Sequence, residues 1–127
     1  MAGVVLDASA IIAMIRAERG WNRVVTEMPT AQISTVSAAE VYSKLSEWKA
    51  GRAEVDRCDA LLAGIMVPFD ADLARRAGAL RAPTQSLGLS LGDRACLALA
   101  QRLGKVALTA DGVWAKLSLG ITVEVIR

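Results

Sequence analysis

The sequence predicts an α/β fold, a three-layer sandwich with a five-stranded parallel sheet, in a single domain over residues 1–127. Two observations predict this architecture. Short apolar runs alternate along the chain with longer segments in which apolar residues recur every three or four positions. In addition, no linker, internal repeat or low-complexity segment divides the sequence, and 127 residues are enough for one well-packed core.

Each predicted strand is a short apolar run bounded by polar or turn-forming residues. The first, Val4–Leu6, has three consecutive apolar residues, as expected of a strand that is buried on both faces. The others follow over residues 31–34, 65–68, 106–109 and 122–126. Because helical segments separate them, the strands are expected to run parallel, with their carboxyl ends along one edge of the sheet.

Helices are predicted over residues 8–17, 21–27, 38–49, 53–64, 71–81, 91–103 and 113–117. Their apolar residues recur at helical spacing, as Val41, Leu45 and Trp48 do in the third. Their starts and stops are marked by N-cap residues and glycines, namely Thr35 or Ser37, Asp70, Ser90, Gly20, Gly51 and Gly104. Residues 82–89, which include Pro83 and Gly88, are predicted to form a loop.

Composition excludes several classes of function. The chain has no histidine, which excludes Ser-His-Asp and Cys-His catalysis and histidine-bound zinc. The net charge of +2 does not by itself indicate nucleic-acid binding, whereas the 54% of apolar residues leaves apolar surface for a partner. No run is long enough to span a membrane, no leader peptide is recognisable, and Cys58 and Cys96 are expected to be reduced thiols in a cytoplasmic protein.

Four acids are expected at the carboxyl edge of the sheet. Asp7 and Asp111 directly follow strands, whereas Glu40 and Asp93 lie about one turn into helices that leave the same edge. Two carboxylates at about 4 Å repel by about 1 kcal/mol in water and about 4 kcal/mol at an intermediate dielectric. Such a cluster requires a cation or protonation, and oxygen ligands favour a hard ion, Mg²⁺ or Mn²⁺.

Each acid also has a structural explanation. Asp7 can cap the first helix, and Asp111 can be an ordinary turn residue. Glu40 and Asp93 lie three positions after Ser37 and Ser90, as in capping boxes. Taken singly, these explanations are favoured, and it is the gathering of four acids at one edge that indicates a site.

Small residues near the acids support the site interpretation. Gly92 is a poor helix former in the first turn of a helix, which favours a close approach to the backbone there. Ser9, Ser90 and Thr109 lie two or three residues from one of the acids, and their hydroxyls can orient a carboxylate or a metal-bound water. Helix capping explains Ser90 equally well.

Four motifs carry a family resemblance: VLDASA at 5–10, SAAEV at 37–41, LSLGDRA at 89–95 and LTAD at 108–111. In this order and spacing they resemble a PIN-domain ribonuclease, most closely the VapC type of toxin from bacterial toxin–antitoxin pairs. The resemblance implies a Mg²⁺- or Mn²⁺-dependent endoribonuclease that is neutralised by a VapB-type antitoxin and forms a homodimer. It also implies that Asp7, Glu40 and Asp93 are the core metal ligands, with Asp111 as the fourth acid.

Other residues are weaker candidates. Arg94 is a candidate phosphate contact, with a solvated or ion-paired arginine as an equal alternative. Trp21, Val24 and Val25 are candidates for a groove that binds an antitoxin segment. Six basic residues could flank an RNA path, although a solvated face is the better explanation for most of them: Arg16, Arg19, Arg23, Lys44, Lys49 and Arg52.

Other functions fit the sequence less well or stay open. A response-regulator receiver domain would need an acidic pair after the first strand and a lysine at the end of its last strand. Neither is present, because Val4 and Val5 precede Asp7 and the last strand contains Glu124. A phosphatase of the haloacid dehalogenase type would need a second aspartate where Ser9 stands. A DNA-directed PIN nuclease and a non-catalytic, metal-binding PIN module stay open, although the first normally has a longer chain and the second need not keep all four acids.

Overall fold

The computed structural model describes residues 3–127 and confirms the predicted α/β sandwich; residues 1 and 2 of the predicted domain lie outside the described residues. Five parallel strands form one sheet: β1 (Val4–Leu6), β2 (Gln32–Ser34), β3 (Met66–Val67), β4 (Val106–Thr109) and β5 (Val123–Val125). Their order is β3-β2-β1-β4-β5, and Leu6 pairs with Ile33 on one side and Leu108 on the other. The central strand is therefore β1, which Asp7 directly follows.

Within residues 3–127, seven α-helices flank the sheet: α1 (Ala8–Ile15), α2 (Trp21–Glu27), α3 (Thr35–Glu47), α4 (Arg52–Leu62), α5 (Ala71–Ala79), α6 (Arg81–Thr84) and α7 (Leu91–Leu103). Short 3-10 helices cover Met28–Thr30, Gln85–Leu87 and Gly112–Lys116. No helix among residues 3–127 is both long and apolar enough to cross a membrane.

Alternation along β1 divides the core between the two faces of the sheet. Val4 and Leu6 pack with residues of α1, α2, α3 and α4 on one face. Val5 packs on the other face with residues of α5 and α7 and with Trp114, whose side chain is fully buried. The three layers are thus helices, sheet and helices, and Cys58 and Cys96 are buried free thiols within them.

The predicted start of α3 is wrong. The helix begins at Thr35, and its N-cap is Ser34, whose Oγ accepts the backbone N–H of Val36 at 3.2 Å. Thr35 Oγ1 instead accepts the N–H of Phe69 at 3.1 Å, a contact between distant parts of the chain. Ser34 therefore ends β2 and caps α3 at once, which places Glu40 in the second turn of the helix.

The predicted loop over residues 82–89 is also wrong. Residues Arg81–Thr84 form α6, in which Pro83 occupies the first turn, where a helix does not need the missing N–H. The buried Thr84 donates its hydroxyl to the carbonyl of Leu80 at 2.6 Å. By contrast, the predicted caps Asp70, Ser90 and Gly104 are confirmed, the last with a φ of 63°.

Candidate active site

The four predicted acids line one cleft of about 190 Å³ at the carboxyl edge of the sheet. Asp7 comes from the end of β1, Glu40 from α3, Asp93 from α7 and Asp111 from the turn after β4. They meet because parallel strands end at one edge and the helices that follow begin there. The other residues that line the cleft are Ala8, Ser9, Ile12 and Lys44.

The side chain of Asp7 is held by two hydroxyls, one from α1 and one from β4. Its side chain is 4% exposed and makes no cap bond to α1. Asp7 Oδ2 instead accepts hydrogen bonds from Ser9 Oγ at 2.6 Å and Thr109 Oγ1 at 3.0 Å. Both hydroxyls accept backbone N–H groups in turn, Ser9 that of Ala110 at 2.9 Å and Thr109 that of Asp111 at 3.1 Å. This arrangement fixes the orientation of the Asp7 carboxylate. Both hydroxyls bind Oδ2, and Oδ1 receives no hydrogen bond from a side chain among the described residues.

Burial and mutual repulsion disfavour the charged forms of Asp7 and Glu40. Burial raises the pKa of Asp7 above its usual range, the hydroxyl of Ser9 opposes this rise, and the charge of Asp93 adds to it. The pKa of Glu40 is also raised, by burial first and then by Asp7 and Asp93. A nearby cation would relieve both effects, since it favours the charged form of each carboxylate.

Glu40 lies against the backbone of α7. A Cβ added to Gly92 would overlap Glu40 Oε1 and lie 2.5 Å from its Cδ, so only glycine leaves room for this carboxylate. The close approach predicted at Gly92 is therefore confirmed. The capping-box explanation of Glu40 is wrong, because α3 begins two residues before Ser37, whose buried Oγ has no partner among the described residues.

Asp93 and Asp111 both make capping bonds and face the cleft. Asp93 Oδ2 accepts the N–H of Ser90 at 2.9 Å, and Ser90 Oγ accepts that of Asp93 at 3.2 Å, which confirms this capping box. Asp111 Oδ1 accepts the N–H of Val113 at 3.0 Å and caps the 3-10 helix Gly112–Lys116. Each acid thus has one oxygen held by its own backbone, and the capping and site interpretations are compatible.

The donor set fits a hard divalent ion. It consists only of carboxylate and hydroxyl oxygens, which Mg²⁺ and Mn²⁺ prefer. Within residues 3–127, however, no three Asp, Glu, Cys or His side chains converge closely enough to hold an ion together. The four acids line one cleft, and Asp93 and Asp111 each have one oxygen engaged by a backbone N–H.

The structure separates two basic residues that the sequence could not distinguish. Lys44 lines the cleft one helical turn after Glu40, and this spacing of four on one helix is the signal that could have found it. Arg94, the candidate phosphate contact, instead donates from Nη1 to the carbonyl of Ala77 on α5 at 2.9 Å. Its side chain is half-buried and forms no ion pair among the described residues, and Arg94 does not line the acid cleft.

Comparisons with known proteins agree with this fold. One similar solved structure is a DNA-bound VapBC from Salmonella typhimurium, with a TM-score of 0.78, 17% identity and 100% of both chains covered. A second is a toxin–antitoxin complex from Klebsiella pneumoniae, with a TM-score of 0.75, 20% identity and 98% of both chains covered. A third is VapC20 from Mycobacterium tuberculosis, a sarcin-ricin loop cleaving toxin, with a TM-score of 0.71, 17% identity and coverage of 94% of this chain and 98% of that chain. At these identities the similarity is one of fold. No curated protein sequence gives a significant match.

A sequence profile of the PIN domain matches residues 4–119. The matched region contains every strand except β5, all seven helices and the four acids of the cleft. The chain therefore belongs to the PIN domain family.

Proposed function

We propose that the protein is a metal-dependent endoribonuclease and acts as the toxin of a VapBC-type toxin–antitoxin pair. The observation that carries the proposal is the cleft in which Asp7, Glu40, Asp93 and Asp111 meet at the carboxyl edge of the sheet. PIN-domain membership and the fold shared with toxins of known structure support it.

In the proposed reaction, a water molecule attacks the phosphorus of a phosphodiester in line with the 3′-oxygen, which is the leaving group. The 3′-oxygen takes up a proton as it leaves, so that the products carry 5′-phosphate and 3′-hydroxyl ends. Asp7 and Asp93, with Glu40 and Asp111 directly or through water, would hold Mg²⁺ or Mn²⁺, which supplies an activated water and offsets charge on the leaving oxygen. Ser9 and Thr109 keep Asp7 in one orientation. The contact with Gly92 fixes how closely Glu40 approaches α7.

The direct test is RNA cleavage by the purified protein, with panels of tRNA, rRNA and mRNA and a DNA oligonucleotide, in Mg²⁺, Mn²⁺ or EDTA. The control against contaminating nuclease is Asp93→Asn, whose remaining carbonyl oxygen can still accept the N–H of Ser90. Discrete, metal-dependent RNA cuts that the variant lacks are expected. Cleavage of the DNA alone, or cleavage that the variant retains, would overturn the proposal.

An antitoxin partner and a homodimer belong to the same proposal. Trp21 and Val25 are 42% and 45% exposed on α2, whereas Val24 is buried, so only the first two can contact a partner. We expect the product of an adjacent reading frame to co-purify with the protein and to suppress cleavage. Size measurement by light scattering, with and without that partner, tests the dimer.

A further inference from the structure

We propose that Lys44 and Arg127 bind the phosphates on the two sides of the scissile bond, so that a single RNA strand crosses the carboxyl edge of the sheet between them. The inference rests on the proposed function, because it describes how that nuclease site holds its substrate. It assigns a role to two cations that the acid cluster does not use.

The acid cleft continues into a second, open groove of about 460 Å³. The two depressions share Ser9, Ile12 and Asp111, so together they form one path along the surface. Lys44 lines the first depression and Arg127 lines the second. Of the lysines and arginines in residues 3–127, these are the two that line this path.

The topology places the two cations on opposite sides of the acids. Lys44 lies on α3, which follows β2, and β2 is the neighbour of β1 on one side. Arg127 follows β5, which lies two strands from β1 on the other side, a separation of about 10 Å at the usual spacing of strands. An RNA strand that runs across the strand ends therefore meets Lys44, the acids and Arg127 in turn.

Both cations can exchange their present partners for phosphate. Lys44 Nζ lies 3.7 Å from Glu47 Oε2, and Arg127 Nη2 lies 2.6 Å from Glu18 Oε1. All four side chains are at least 41% exposed, and ion pairs at such exposure contribute little to stability. The carboxylates of the cleft repel the negatively charged RNA backbone. Cations on either side of the acids offset this repulsion and allow the strand to enter the cleft.

A purely structural role for Lys44 makes a different prediction. If Lys44 only offsets the charge of Glu40 one turn away, its removal would alter metal affinity and thermal stability but leave RNA affinity unchanged. The two roles are therefore separated by measuring RNA binding directly, in protein that cannot cleave.

The experiment measures binding of a fluorescein-labelled oligouridylate of about 12 nucleotides to the full chain carrying Asp93→Asn, by anisotropy across a salt series. Lys44→Ala and Arg127→Ala are compared with two control variants that also remove one charge. Lys105→Ala removes a lysine at the opposite edge of the sheet, where its Nζ donates to Gln32 Oε1. Arg81→Ala removes an exposed arginine at the start of α6 that lines neither depression.

We expect Lys44→Ala and Arg127→Ala each to weaken binding by roughly 3- to 10-fold and to lower the slope of log affinity against log salt by about 0.7. Lys44→Arg should retain binding, and both controls should behave like the parent protein. Binding that is unchanged in Lys44→Ala and Arg127→Ala, or weakened equally in the controls, would overturn the inference while the proposed nuclease stands. A parent protein that binds no RNA at all would overturn both.

Discussion

Replacing Asp7 with asparagine should stabilise the protein in the absence of metal while abolishing its cleavage activity. The substitution removes a negative charge from a side chain that is 4% exposed and close to Asp93. It keeps an oxygen that can accept hydrogen bonds from the hydroxyls of Ser9 and Thr109, and it replaces the other carboxylate oxygen with an amide nitrogen.

The size of the effect follows from burial. Burying an ionised carboxylate to this depth lowers the free energy of unfolding by several kcal/mol, and its two charge-assisted hydrogen bonds offset part of that loss. The variant should therefore gain about 1–3 kcal/mol in the free energy of unfolding at neutral pH. At about 2.1 cal/mol/K of unfolding entropy per residue, 127 residues convert each kcal/mol into about 4 °C. The expected rise in Tm is therefore about 4–11 °C.

The sign of the pH dependence is fixed by the direction of the pKa shifts. The pKa of Asp7 and that of Glu40 are raised in the fold from ordinary values of 3.8 and 4.5, so the folded state binds more protons than the unfolded chain above these values. Stability is therefore greatest below about pH 4 for these two groups and is lost as pH rises through their folded pKa values. Asp7→Asn should flatten this loss.

The assay is thermal unfolding followed by circular dichroism, in EDTA and in Mn²⁺, over a series of pH values. Mn²⁺ should raise the Tm of the parent protein and have little effect on the variant, because binding to the folded state alone stabilises it. Asp56→Asn, which alters a 61% exposed carboxylate on α4, serves as the control and should change stability by less than about 0.5 kcal/mol. A variant that melts below the parent in EDTA at pH 8 would refute the reasoning.

Three further substitutions or modifications test the site. Gly92→Ala should abolish cleavage at a cost of about 0–2 kcal/mol, because the added Cβ displaces Glu40 while alanine improves the helix; full activity in this variant would contradict the close contact. Ser9→Ala should lower the cleavage rate roughly 10- to 100-fold and the Tm by about 4–11 °C. The substitution removes a hydrogen bond to Asp7 and leaves the N–H of Ala110 without its acceptor. An unchanged rate would show that Asp7 does not need the Ser9 hydroxyl. The thiol of Cys96, buried and with its pKa raised by burial and the nearby acids, should react with a thiol reagent only on unfolding, and rapid modification of the native protein would contradict its placement.

Much of the site could be predicted because its signals are local. A strand that ends in an acid and passes directly into a helix is visible in residues 4–15, and the capping box of Ser90 and Asp93 lies within four residues. The rule that parallel strands end at one edge then brings four distant acids together. Ser9 and Thr109 were predicted as supporting hydroxyls, and the hydrogen bonds to Asp7 agree with that prediction.

What sequence reasoning missed depends on contacts between distant residues. The start of α3 was misplaced because Thr35 bonds to Phe69, a partner 34 positions away, while Ser34 takes the capping role. The fold brings Arg94 to the carbonyl of Ala77, 17 positions away, a contact that the sequence does not reveal. Arg127 had no motif at all to mark it.

The sequence by itself determined the strands, most of the helices, the four acids and the all-oxygen donor set that they would offer a metal ion. Periodicity, capping and ligand chemistry act over a few residues, so they can be read along the chain. Only the tertiary structure decided that Asp7 is held by hydroxyls 2 and 102 positions away, that Glu40 needs Gly92, and which cations border the cleft. Burial, repulsion and access to a groove are set by neighbours in space, and these are fixed only when the sheet brings distant segments together.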